Sequence, residues 1–182
     1  MPDAVDNSDE TARLPRDEHP TPQYRRALWF NLNVQWEFAF DDRRLGMRER
    51  WHQSGAFPLR IVVPYPFQST LSGIGDTSFH DVVWYRRTFR PPDSFAGKRV
   101  ILHFGAVDYA AAVWVNGEFA ATHEGGHTPF SADVTDLLCD GENVIALRVK
   151  DDSHRLDQPR GKQYWEEASE GIFYTRTICA AT

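Results

Sequence analysis

The chain has 182 residues, with 20 Lys and Arg against 26 Asp and Glu, for a net charge of −6. That length suits one ordinary domain with a core of its own, and two cysteines exclude a disulfide scaffold and a four-thiolate zinc site. The acidic balance and the lack of a Lys/Arg block argue against nucleic acid or an anionic membrane as partner, no apolar run is long enough to span a bilayer, and residues 1–20 lack a signal-peptide core.

The first 20 residues carry six acids (Asp3, Asp6, Asp9, Glu10, Asp17, Glu18) against Arg13 and Arg16, so −4 of the −6 sits there. Pro2, Pro15 and Pro20 interrupt a stretch with few apolar residues. Such a segment cannot bury enough surface to offset its ordering entropy. Residues 1–24 are therefore expected to form a disordered acidic leader, ahead of a folded body over residues 25–177.

From Trp29 onward, short alternating runs are separated by turn signals. Residues 32–40 place Leu32, Val34, Trp36 and Phe38 on one face. The charged residues 41–55 are the longest non-strand stretch and could carry a short helix. Residues 82–89 are aromatic and β-branched. Residues 99–104 put Val100, Leu102 and Phe104 on one side. In residues 111–115, Val113 and Val115 oppose Trp114. Asn116-Gly117 then predicts a type I′ hairpin into residues 118–123, because both positions tolerate positive φ. Residues 133–138 could hold one helical turn, and Asp140-Gly141 predicts another turn. Residues 143–149 align Ile145, Leu147 and Val149 at period two. Strands at this spacing predict an all-β jelly-roll sandwich.

The aromatic share is high, at 13% with six Trp. Trp36, Trp84 and Trp114 lie in strand patterns and are expected in packing. Trp165 is different. It follows Pro159 in a loop that also holds Arg160, Lys162, Gln163 and Tyr164. Amide, ammonium and aromatic groups together suit a sugar, with hydrogen bonds to hydroxyls and a flat face against the pyranose ring. A solvated surface loop is the other reading.

Three further features invite chemistry. His123-Glu124-Gly125-Gly126-His127 matches the H-E-x-x-H zinc string. That mechanism needs a helix, and two glycines, Thr128-Pro129 and a preceding strand oppose one. A glycine turn is the simpler reading. Asp76 and His80 sit in a glycine-bearing loop, where Asp76 is either a ligand contact or the cap of its own turn, and the cap is the more economical reading. The adjacent acids Glu166-Glu167 and Asp151-Asp152 point to opposite faces of an extended chain, so neither dipeptide supplies a facing carboxylate pair. No dinucleotide, P-loop or serine-hydrolase string occurs.

An ordered set of segments nevertheless resembles a known family. It comprises Leu32-Asn33 with Trp36-Glu37-Phe38; Val62-Val63-Pro64-Tyr65-Pro66-Phe67-Gln68-Ser69; Val83-Trp84-Tyr85-Arg86-Arg87; Val113-Trp114-Val115-Asn116-Gly117; the stretch from His123 to Phe130; Gly141-Glu142-Asn143; and Gly171-Ile172-Phe173. Residues 28–177 resemble the N-terminal sugar-binding, galactose-binding-like domain of family-2 glycoside hydrolases, the β-galactosidase, β-glucuronidase and β-mannosidase group. The resemblance implies a jelly roll followed, in the whole enzyme, by an immunoglobulin-like domain and a (β/α)8 barrel. The barrel would supply both catalytic glutamates for retaining hydrolysis, so this chain alone is expected to be inactive. It implies sugar contacts from Gln163, Tyr164 and Trp165, which resemble a loop reaching over the barrel mouth, and from Asp76 and His80 in a second loop. Neither a redox cofactor nor a metal is implied, since Gln163 stands where some relatives place an acid. A free-standing carbohydrate-binding module or lectin is the alternative.

Residues 178–182 depart from the family pattern, which predicts loss of a final strand and a truncated, frame-altered or fragmentary product. A lost strand would leave an unpaired sheet edge. A cytoplasmic location is the default expectation.

Overall fold

The computed structural model describes residues 15–19, 22–152, 157 and 180–181. Among the described residues ten strands form two layers, in keeping with the expected sandwich. They are β1 (Gln35–Phe40), β2 (Leu59–Val62), β3 (Val82–Phe89), β4 (Ile101–Phe104), β5 (Ala106–Val107), β6 (Ala110–Val115), β7 (Glu118–Glu124), β8 (Phe130–Asp133), β9 (Asn143–Lys150) and β10 (Ala180–Ala181). The larger layer is a six-stranded antiparallel sheet in the order β2-β1-β3-β9-β6-β7. The smaller layer holds the pairs β4-β8 and β5-β10. The C-terminal residues thus add a two-residue strand against Ala106–Val107.

The main core lies between the layers. Trp36, Phe38, Tyr85, Val113, Ile145 and Leu147 from the large sheet meet Leu102, Phe104 and Ala132 from the small one. Period-two alternation places the other residues of the same strands outside. Val82, Trp84, Trp114 and Ala146 form a second cluster with Phe57 on the far face of the large sheet. Trp84 and Trp114 stack there with ring centroids 5.5 Å apart. The charged residues 41–55 cover this cluster. Their only helix is the four-residue α1 (Trp51–Ser54), and Trp51 and His52 turn their rings onto Trp84 and Trp114.

Two predicted strand starts move inward. The first strand begins at Gln35 rather than at residue 32, because the Asn31 side chain accepts from the Asn33 amide at 2.7 Å and bends the entry. Leu32 still packs into the core. The fourth begins at Ile101. Strands β2, β5 and β8 were not predicted. Each has four residues or fewer, too short to show a period. The Asn116-Gly117 turn adopts the expected positive φ, 53° and 82°. Thr135–Leu137 is the expected helical turn, of 3-10 type.

Part of the span expected to be disordered touches the body. The Arg16 carbonyl accepts from the Asn31 side chain at 3.0 Å, and His19 meets Trp29 edge-on.

Candidate functional site

Strands β1 and β3 are neighbours, with Phe40 opposite Val83. The residues after β1 and those before β3 therefore emerge at one end of the large sheet. Strand β9 ends there too, with Lys150 opposite Val82 and the Asp151 amide donating to the Asp81 carbonyl at 2.9 Å. Three segments converge as a result: Asp41-Asp42, the loop over residues 73–81, and Asp151-Asp152.

The loop is held by its own polar groups. The Ser69 hydroxyl accepts from the Leu71 amide, capping a 3-10 turn that Gly73 closes at φ 84°. Buried Ser72 donates to the Ser69 carbonyl at 2.7 Å and accepts from the Ile74 amide at 3.1 Å. The Asp76 amide donates to the Phe67 carbonyl at 3.1 Å. These bonds bring the second half of the loop back over the core edge.

Asp76 and His80 meet there. Oδ1 of Asp76 accepts from the Ser78 amide at 2.8 Å and from its hydroxyl at 2.5 Å. Those two bonds, outweighing a small burial effect, hold the Asp76 carboxyl below the usual aspartate range. Nε2 of His80 lies 2.9 Å from Ser78 Oγ and 3.4 Å from Asp76 Oδ2. Its Nδ1 lies 2.8 Å from Asp42 Oδ1. The ring stacks on Phe40 at 3.7 Å between centroids and meets Phe67 edge-on at 5.6 Å. Beside it, Arg44 bridges Asp81 at 3.0 Å and Asp152 at 3.7 Å. Ser78 and Phe79 are exposed. A carboxylate, an imidazole, a hydroxyl and an aromatic ring can together bind a polyhydroxylated ligand.

The cap expected of Asp76 is present, and the same carboxylate also faces His80. Sequence reasoning missed Asp42 and Ser78. No local signal marks Asp42, since its partner is 38 positions away. Ser78 is legible only as the second residue after an Asp in a turn. Gln163, Tyr164 and Trp165 lie outside the described residues.

The H-E-x-x-H string is a strand end and a turn. His123 and Glu124 close β7, and Gly125 has φ 135°. The His123 ring stacks on Phe130, with its Nε2 3.0 Å from Thr128 Oγ1. A Cβ on Gly126 would lie 2.4 Å from Asp108 Oδ1, so glycine is required by that approach. Among the described residues no metal-holding group of three His, Cys, Asp or Glu occurs. An apolar cavity of about 890 Å³ lies elsewhere, between the layers beside β4, lined by Trp29, Phe30, Phe89, Phe95 and Phe104.

Comparison with known proteins decides the family. Residues 30–174 match the family described as glycosyl hydrolases family 2, sugar binding domain. The chain belongs to that family. It is 35% identical over 137 residues to a β-glucuronidase of Paenibacillus borealis, covering 72% of this chain and 22% of that protein. It is 32% identical over 133 residues to a β-galactosidase of Thermoanaerobacter pseudethanolicus, covering 72% and 16%. Among solved structures it resembles the β-glucuronidase of Lactobacillus rhamnosus, with 31% identity and a TM-score of 0.59 over 66% of this chain and 21% of that one. The chain thus spans about a fifth of the length of these family-2 relatives. No helix among the described residues is long and apolar enough to cross a membrane.

Proposed function

We propose that the chain is the non-catalytic sugar-binding part of a larger retaining β-glycosidase, whose immunoglobulin-like and (β/α)8 domains carry the rest of the enzyme. Its role is to support the barrel and to lend loop residues to recognition of a terminal β-linked sugar. Asp76 and His80 are two of those residues, and Gln163, Tyr164 and Trp165 are the others.

The observation that carries this reading is the convergence at one end of the large sheet. Asp76 and His80 sit side by side at the end of the sheet where β9 finishes. The match to a sugar-binding family agrees with it. The geometry also argues against hydrolysis at this cluster. A glycosidase needs two carboxyl groups facing each other across the bond, roughly 5–9 Å apart. Here Asp42 and Asp76 approach His80 from its two ring nitrogens, so the imidazole occupies the space between them.

An assay of the purified chain with chromogenic β-glucuronide, β-galactoside and β-mannoside tests the catalytic half of this proposal. No turnover is expected, and turnover by the pure chain would overturn it. Calorimetric titration with methyl β-D-glucuronide and methyl β-D-galactoside tests the binding half.

A further inference from the structure

Arg86 and Arg148 both lie on the outer face of the large sheet, and their surroundings differ. Arg86 on β3 donates through Nε to Glu37 and through Nη1 to the Gly55 carbonyl at 2.7 Å, with its guanidinium over the Phe57 ring. Arg148 on β9 stands between Trp84 of β3 and Ala112 of β6 in the cross-strand register. It shares the face of Ala146, two residues before it. Its Nε is closed off from solvent and has no hydrogen-bond partner among the described residues.

Among the described residues no neighbour supplies the missing acceptor. Asp41, the carboxylate whose charge acts on Arg148, already accepts from the Leu45 and Gly46 amides and from the Trp84 indole. Arg44 adds positive charge nearby and is itself engaged by Asp81 and Asp152. Lys150, two residues along the same face, pairs with Asp152 at 3.3 Å. Burial, the largest influence, acts with Arg44 against the pull of Asp41 and holds the Arg148 guanidinium below its usual range. An ionised donor without an acceptor is costly in such a place, and a guanidinium does not shed its proton at neutral pH to escape the cost.

We infer that Arg148 is a carboxylate-binding position on the outer face of the sheet. The planar fork of its N–H groups matches the two oxygens of a carboxylate. A monoanion suits the place better than a dianion such as phosphate, because Asp41 already sets a negative charge beside it. Approach is open from the β7 side. The next residues in that row are Ala112, which is half-buried and small, and Thr122, which is exposed. The carboxylate belongs either to a sugar acid or to an Asp or Glu side chain in another domain of the parent enzyme. Neither source depends on the loop that holds Asp76 and His80.

The test uses the full 182-residue chain. Sodium acetate is titrated into the ¹⁵N-labelled chain, with sodium chloride at equal ionic strength as the comparison. The readouts are the Arg148 Nε–H and the Ala112 backbone amide in ¹H–¹⁵N spectra. Both signals are expected to shift with acetate and to saturate, with half-saturation at about 10–100 mM, the range for one charge-assisted pair. Chloride is expected to give no saturable shift. Arg148→Met should abolish the Ala112 shift while leaving the urea midpoint equal or higher, since it removes an unpaired charge. Arg148→Lys keeps the charge and loses the fork, so it should weaken acetate binding at least about threefold. It also stands in should the methionine variant fail to fold.

Absence of a saturable acetate shift at Arg148 overturns the inference. So does an Ala112 shift that persists in Arg148→Met, or an unchanged half-saturation in Arg148→Lys. A urea midpoint lowered in Arg148→Met as far as in Asp41→Ala overturns it too, because the arginine then already has a structural partner. Methyl β-D-glucuronide and methyl β-D-galactoside separate the two sources. Half-saturation by the glucuronide at least about tenfold below that of acetate, with the galactoside silent at Arg148, supports the site and assigns it to a sugar acid. A glucuronide no better than acetate supports the site and assigns it to an acidic side chain of another domain. Failure of the Asp76 loop to bind sugar leaves these readouts unchanged, so the two readings fail separately.

Discussion

The Trp84 indole N–H donates to the Asp41 carboxylate at 3.0 Å, joining residues 43 positions apart beneath the 41–55 segment. Asp41 is buried and also accepts from the Leu45 amide at 2.7 Å and the Gly46 amide at 3.0 Å. One carboxylate thus folds the segment over the outer face of the sheet. Gly46 is held to glycine by the same arrangement, since a Cβ there would lie 2.4 Å from Trp84 Nε1 and 2.8 Å from Asp41 Oδ2.

Asp41→Ala removes the acceptor of three donors around a buried carboxylate and is expected to destabilise the chain by about 2–4 kcal/mol. Gly46→Ala should cost about 1–3 kcal/mol through overpacking. Urea unfolding followed by tryptophan fluorescence measures both. A midpoint unchanged in either variant would show that the segment is not held through Asp41.

The hairpin at Asn116-Gly117 has a second lock. Asn116 adopts φ 53° while its amide donates to the Leu137 carbonyl at 2.8 Å and to Asn143 Oδ1 at 2.7 Å. Its side-chain Oδ1 accepts from the Val144 amide at 2.9 Å. Asn116→Ala loses these bonds and places a Cβ residue at positive φ. A loss of about 2–4 kcal/mol is expected. Asn116→Gly relieves the strain but not the missing bonds, so it should fall between the parent and alanine. Equal stability of the two variants would assign the whole effect to the side chain.

The acid limb of stability should depend on Glu37. Its carboxyl is held below the usual value of 4.5 chiefly by the hydrogen bond from Arg86, with Arg60 adding a smaller effect. A carboxyl lowered on folding contributes stability above its unfolded pKa, and that contribution disappears as pH falls through the folded value. Loss is therefore expected as pH drops from about 4.5 downward. Glu37→Gln should flatten this limb while leaving its shape above pH 6 alone. Urea midpoints from pH 7 to pH 3 provide the comparison, and parallel curves would count against the assignment.

Sugar binding should separate two turns that look alike. Asp76 caps Ser78 and Asp133 caps Thr135 with the same pair of backbone and hydroxyl bonds. Only Asp76 lies beside His80. Asp76→Asn and Trp165→Ala are each expected to weaken glycoside binding at least about threefold, whereas Asp133→Asn should leave it unchanged. Equal losses at Asp76 and Asp133 would point to loop stability rather than ligand contact.

The sandwich was legible because alternation survives in single strands. Val113 and Val115 against Trp114, and Ile145, Leu147 and Val149 in line, assign faces without knowledge of any neighbour. The Asn116-Gly117 turn was legible for a similarly local reason, the tolerance of these two residues for positive φ. Strands β2 and β8 were not, because four residues show no reliable period and pairing with a distant strand makes them strands. Trp84 and Trp114 were legible as packed, but not as packed outside the two-layer core. That depended on residues 41–55, whose charged sequence conceals Trp51 and the Asp41 anchor.

The face of each long strand, the hairpin and the resemblance to family 2 are readable along the chain, since they rest on nearest neighbours and on ordered motifs. That Asp42 meets His80 and that Asp41 meets Trp84 emerges only from the folded chain. The physical reason is that hydrogen bonds and ring contacts act over a few ångströms in space. The register of β1 against β3 creates these pairs, and nothing local to either partner records them.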